Sequence, residues 1–193
     1  MMKAIILCFA IMAALLTSCG NNGSPKESTS GNNDTTNANT QTNKTVKAQP
    51  ASVDEVLNSY MELKNALTND NGTEAASAGK HLSDVLQKTD ETTFSTDQRS
   101  VYKDLKDDIK EHAEHISSNG SKIAHQREHF DILSKDMYDL VKVFKPSQTI
   151  YLDHCPMYND NKGANWLSEV KEIKNPYLGK KMPDCGTVKE EIK

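Results

Sequence analysis

Apolar residues recur at helical spacing along four stretches of the chain, separated by short polar breaks. Ser52 can cap the first, with Glu55 three residues on as in a capping box, and Val53, Val56, Leu57, Tyr60, Leu63, Ala66 and Leu67 share one face until Asn69-Asp70-Asn71-Gly72 ends it. The second runs from about Thr73 to Lys88, with an Ala-rich start (Ala75, Ala76, Ala78) that allows close approach to a neighbour and a stripe continued by Leu82, Val85 and Leu86. Thr89 to Ser95 reads as a turn. The third spans about Thr96 to Ser117, with Val101, Leu105, Ile109, His112 and Ile116 in line, and stops at Asn119-Gly120. The fourth, from about Ser121 to Lys145, carries Ile123, Phe130, Leu133, Met137, Leu140 and Phe144 on one face and ends at Pro146.

Short connections make successive amphipathic helices antiparallel neighbours, so the pattern predicts a mostly α fold, an up-down four-helix bundle. From Pro146 onward, Pro156, Pro176, Pro183, Gly163, Gly179 and Gly186 interrupt every periodic run except a short helical stretch around Trp166 to Ile173. This Cys-, Pro- and Gly-containing tail, residues 146–193, is expected to be irregular but packed on the bundle, because it holds Tyr151, Trp166 and Tyr177.

The first 51 residues have a different character. Lys3 gives a short positive start, and Ala4 to Leu16 are almost wholly apolar, which is the pattern of a signal peptide over residues 1–18. The run falls short of the about 20 residues a membrane-spanning helix needs. Leu16-Thr17-Ser18-Cys19 is closely similar to a lipobox, so Cys19 is the expected lipidation site of a membrane-anchored, periplasm-facing lipoprotein. Residues 20–50 contain no aromatic residue and only Val46, Ala38 and Ala48 as apolar groups. Such a segment cannot bury enough surface to offset its ordering entropy, and residues 19–51 are expected to be a lipidated, disordered polar tether. Residues 52–193 then form one helical-bundle domain.

The formal net charge is −4, and removing the leader takes away Lys3 and no acidic residue. No basic run exists to neutralise phosphates, which argues against nucleic acid as a partner. The chain lacks Cys-x-x-Cys, Cys-x-x-Cys-His, Gly-x-Ser-x-Gly, a phosphate-binding glycine loop and His-Glu-x-x-His. It therefore does not read as an enzyme.

Candidate chemistry lies in histidine and sulfur. His125 and His129 are one helical turn apart, a spacing that lets two imidazoles share a metal, and folding about Asn119-Gly120 brings His115 level with His125. His112 is close by, one turn below His115, but falls in the apolar stripe of its helix and reads as a hydrogen-bonded core histidine; His81 has no company. The tail adds Cys155, Met157, Met182 and Cys185. Imidazole with thiolate and thioether suits copper(I) best, with zinc a second candidate. The fourth helix rises about 28 Å from His125 to Phe144, and Pro146 to Cys155 can extend about 33 Å, so the tail can reach back to complete one composite site. Equally open on residue type is a Cys155–Cys185 disulfide, which would staple a non-catalytic interaction module.

Several short runs carry a family resemblance. They are Tyr60-Met61-Glu62-Leu63-Lys64-Asn65-Ala66-Leu67, His125-Gln126-Arg127-Glu128-His129-Phe130 with Leu133-Ser134, Cys155-Pro156-Met157, Trp166-Leu167-Ser168, Asn175-Pro176-Tyr177 with Gly179, and Met182 with Cys185-Gly186. In these the chain resembles a bacterial family known as domain of unknown function 3347, found in small lipoproteins and at the end of some heavy-metal efflux membrane-fusion proteins. The resemblance implies a metal-handling role beside copper or silver efflux, with an efflux adaptor as partner. Its Cys, Met and His positions fall on His125, His129, Cys155, Met157, Met182 and Cys185, and less distinctively on His115. Pro183 stands where the family pattern has leucine, and Leu178 where it has an aromatic residue.

Overall fold

The computed structural model describes residues 52–193; the expected signal peptide, the expected lipidation site Cys19 and the expected tether lie outside the described residues. Four long helices and a small antiparallel sheet make up this part. Helix α1, Val53–Thr68, begins at a reciprocal capping box: Glu55 N donates to Ser52 Oγ, and Ser52 N donates to the Glu55 carboxylate at 2.9 Å. Helix α2, Gly72–Lys88, starts at Asn71, whose side chain accepts from Glu74 N. Helix α3, Thr96–Ser118, has a second capping box between Ser95 and Gln98. Helix α4, Ile123–Phe144, begins two residues later than the periodicity predicts, because Ser121 is used in the turn, and ends at Lys145 in the left-handed conformation before Pro146.

Each helix packs on the next, with a smaller contact between α1 and α4. Small residues set the spacing of α2: a Cβ at Gly79 would lie 2.7 Å from the Ala113 carbonyl, and one at Gly72 would lie 2.6 Å from the Gly120 carbonyl. The core face of α3 differs from the expected stripe. Its buried residues are Tyr102, Ile109, Ala113 and Ile116, so the inward face is turned by about one residue and His112 sits at its half-buried edge. Tyr102 draws the face round, packing edge-on against Phe94 and donating its hydroxyl to the Leu86 carbonyl.

The tail is ordered as a sheet, which corrects the expectation of irregular chain. Strands β1 (Ile150–Cys155), β2 (Ala164–Ser168) and β3 (Thr187–Ile192) pair antiparallel in the order β2-β1-β3, with a bulge at Leu152/Asp153 on the β3 side. The expected helix around Trp166 is absent because Trp166 lies in β2, opposite Asp153. The prolines and glycines that break helical periodicity here separate strands of five or six residues, each too short to show a strong pattern of its own. Strand β2 lies on α4 and touches α1. No helix among the described residues is long and apolar enough to cross a membrane.

Polar side chains buckle sheet to helices. Tyr60 shares a hydrogen bond with Ser134 and accepts from Leu167 N on β2. Lys64, fully buried, pairs with Glu169 at 2.7 Å, and Asn65 donates to the same carboxylate. Burial pushes the Lys64 ammonium below its ordinary range, and Glu169 offsets this only in part. Arg127 on α4 donates to the carbonyls of Pro176 and Leu67 and pairs with Asp70, which also accepts from Lys180 N. Gly179, at φ 54°, is required in that clasp, since a Cβ would lie 2.0 Å from the Asp70 carboxylate.

Asp153 is fully buried in the middle of β1, and neither carboxylate oxygen has a hydrogen-bond partner among the described residues. Burial drives its pKa up to about 7, against the pull of Lys64. An unfolded aspartate titrates near about 3.9, so between these values the folded form holds a proton that the unfolded form has lost. Asp153 therefore costs stability as pH rises from about 4 to 7, and the loss persists above that range. Asp153→Asn removes the titration. In urea denaturation its stability relative to the parent chain should rise by roughly 2–4 kcal/mol between pH 4 and pH 8; a difference independent of pH would contradict the assignment.

Candidate metal centre

The histidines are brought together by the α3–α4 hairpin. His115 occupies the last turn of α3, and Asn119 caps that helix while donating its side-chain amide to the His115 carbonyl. Lys122 N donates to Asn119 O at 2.8 Å and closes the turn. The register is then fixed by Gln126, fully buried, whose Nε2 donates to Ile116 O at 3.0 Å and to Gly72 O at 2.9 Å. One amide thus ties the start of α2, the end of α3 and the first turn of α4.

With that register set, His129 becomes the hub of a histidine cluster. Its ring stacks on His115, with centroids 4.4 Å apart and planes within 3°, and meets His125 edge-on at 4.7 Å. One ligand nitrogen from each of His115, His125 and His129 lies within 4.8 Å of the others. A tetrahedral metal with bonds of about 2.0–2.1 Å holds its nitrogens about 3.3 Å apart, so the three would close by up to about 1.5 Å on binding. His115 and His125 have that freedom, since their side chains are 48% and 42% exposed.

Two of the rings have acidic neighbours. His125 Nδ1 is 3.0 Å from Glu128, an acidic acceptor that leaves Nε2 with its lone pair, and Glu111 stands beside His115 Nε2 at 3.7 Å. Burial lowers the pKa of His129, and the adjacent His115, His125 and His112 lower it further, so its imidazole is neutral at neutral pH. A neutral imidazole is the form that binds a metal.

The two cysteine sulfurs form a separate pair. Cys155 Sγ, at the end of β1, is 3.4 Å from Cys185 Sγ, just before β3. Burial, and then the neighbouring thiol, raise the Cys185 pKa. Asn175 holds this arrangement: its amide donates to the Cys185 carbonyl, and its Oδ1 accepts from Tyr177 N and Leu178 N around Pro176. Met157 is exposed beyond β1 and Met182 is half-buried. Among the described residues, the one grouping of three or more His, Cys, Asp or Glu ligand atoms is His115, His125 and His129. The structure therefore brings together the three predicted histidines and, separately, the two predicted cysteines, but does not assemble them into one composite site.

His112, expected to be a hydrogen-bonded core histidine, is hydrogen-bonded but only half-buried: its Nδ1 lies 3.0 Å from His129 Nδ1. The signal was present: Tyr102 and Ala113 share the helical period of Ile109 and Ile116, and that stripe leaves His112 at the edge with His115 one turn on. His81, given no role, pairs with Glu62 on the exposed side of α2.

A family model described as Protein of unknown function (DUF3347) matches residues 56–149, which supports the resemblance seen in the sequence. The matched span contains His112, His115, His125 and His129 and stops before β1, so Cys155, Met157, Met182 and Cys185 lie beyond it. No curated protein and no solved structure matches the chain.

Gln126→Leu keeps the volume but removes both amide donors, and with them the hydrogen bonds to the Ile116 and Gly72 carbonyls. It should cost about 2 kcal/mol or more in urea denaturation and shift the His129 ring-proton resonances as the His115 stack is lost. A surface control, His81→Ala, should stay within about 0.5 kcal/mol. Unchanged stability and ring shifts in the Gln126 variant would contradict its role as the tie.

Proposed function

We propose that this chain is a metal-binding lipoprotein of the bacterial cell envelope, which captures a transition-metal ion at the α3–α4 histidine centre and buffers it or passes it to an efflux system. The observation that carries the reading is the convergence of His115, His125 and His129 nitrogens within 4.8 Å, on rings oriented by acidic neighbours. The lipobox-like Leu16-Thr17-Ser18-Cys19 supports the anchor, and the similarity to an efflux-associated family supports the biological setting. Imidazole donors suit copper and zinc alike. Copper remains the first ion to test. Copper(I) gains a further argument only if Cys155, Met157, Met182 or Cys185 joins the centre, because soft sulfur is what favours that ion. In this role the protein has no need of catalysis.

Titration of the full chain with copper and with zinc, in competition with a chromophoric chelator, should give roughly one ion bound per chain with sub-micromolar affinity. His129→Ala should weaken that binding by at least about tenfold, since it removes the central donor. Binding no tighter than micromolar for both metals, or an unaffected His129 variant, would overturn the reading.

A second reading, an interaction module stapled by a Cys155–Cys185 disulfide, is favoured by the 3.4 Å separation of the two sulfurs. Closing a loop of this length would contribute about 3–4 kcal/mol. Mass spectrometry of non-reduced protein isolated from the cell envelope should find the two cysteines joined, with two hydrogens lost. Quantitative alkylation of both thiols without reductant would contradict the staple.

A further inference from the structure

His112 has no place in the three-histidine centre, yet it makes a specific contact with the hub of that centre. Its Nδ1 is 3.0 Å from His129 Nδ1, and the two rings, 5.3 Å apart and tilted by 43°, are placed for an edge-to-edge hydrogen bond. A neutral imidazole carries one N–H and one lone pair, so one of these nitrogens donates and the other accepts. The direction decides whether His129 can ligate without first breaking the contact. If His112 donates, the His129 Nδ1 lone pair is occupied and its proton sits on Nε2. If His129 donates, its Nε2 lone pair is free.

We propose that His112 is a positioning residue for the metal centre: its Nδ1 accepts the Nδ1–H of His129 and holds His129 in the tautomer that offers Nε2 to the ion. This rests on the metal-binding reading above. The arrangement follows the general rule that a metal-bound histidine donates its second N–H to a fixed acceptor, which orients the ring and sharpens its basicity. Here the acceptor is itself an imidazole, half-buried on α3, one turn before His115. His112 in turn has acidic company. Asp136 on α4 lies within electrostatic reach of it. Helix α3 thus supplies one imidazole as ligand and one as orienting acceptor, and α4 supplies the other two ligands.

Two measurements on the full chain test this and separate it from the metal-binding reading. In metal-free protein, long-range 1H–15N correlation spectra should show His129 as the Nδ1–H tautomer in the parent chain and lose that preference in His112→Phe. An Nε2–H tautomer in the parent chain overturns the proposal whether or not any metal binds. In the second measurement, cobalt(II) is the probe. His112→Phe should bind it about 10–100-fold more weakly with unchanged ligand-field bands, and His112→Gln, whose carbonyl oxygen can accept the same proton, should recover most of the affinity. Equal affinity in the Phe variant, a failure of Gln to recover what Phe loses, or a change in the ligand-field bands that marks loss of a donor nitrogen would each overturn it. If the parent chain binds no cobalt(II), copper or zinc, the metal-binding reading fails, while the tautomer measurement still reports on the His112–His129 contact.

Discussion

A single buried amide, Gln126, fixes how α3 and α4 lie beside each other. Its two N–H groups are spent on carbonyls at the end of α3 and the start of α2, the first of which also accepts from Asn119 N. Moving α4 by one residue would break both bonds and carry His125 and His129 some 100° around the helix axis, away from His115. The glycines at positions 72, 79 and 120 allow the close approach that the amide needs, since a side chain at Gly72 or Gly79 would strike a backbone carbonyl. The histidine cluster is thus a consequence of helix-end chemistry as much as of histidine placement. Arg127, the next residue, performs a similar task on another face, clasping the tail through Pro176 and Asp70.

Most of the helical part was legible because its signals are local. The capping box at Ser52, a stop at Asn119-Gly120 and a run of apolar residues at fixed spacing all lie within a few positions of one another. The misreadings arose where the deciding partner is distant in sequence. The inward face of α3 is turned by Tyr102, which answers to Phe94 and Leu86, and this leaves His112 at the half-buried edge of the core. The strands were hidden because β1 finds its partners across breaks of eight and of more than thirty residues. Lys64 and Asp153 look like ordinary surface residues in the sequence, and only the sheet packed over α1 and α4 buries them.

Candidate chemistry was legible as residue types but not as a grouping. Histidine and sulfur in one small chain suggested a single soft-metal site, and the length of the tail allowed it. The folded tail spends that length differently: it turns at Asn175, pairs β3 with β1, and leaves Cys155 against Cys185. Metal capture and a disulfide then cease to compete for the same atoms. Under the proposed function the histidine centre takes its ion whether or not the thiols join, and the choice of metal falls to the imidazoles and their acidic neighbours Glu111 and Glu128.

The central claim is that the ion-binding donors are the imidazoles of the α3–α4 hairpin and that the tail cysteines take no part. X-ray absorption spectroscopy of the copper-loaded full chain tests it most directly. The account predicts a nitrogen shell near about 2.0 Å with the outer-shell scattering of imidazole rings and no sulfur contribution. A sulfur shell near about 2.3 Å would contradict it and return the tail cysteines to the metal site.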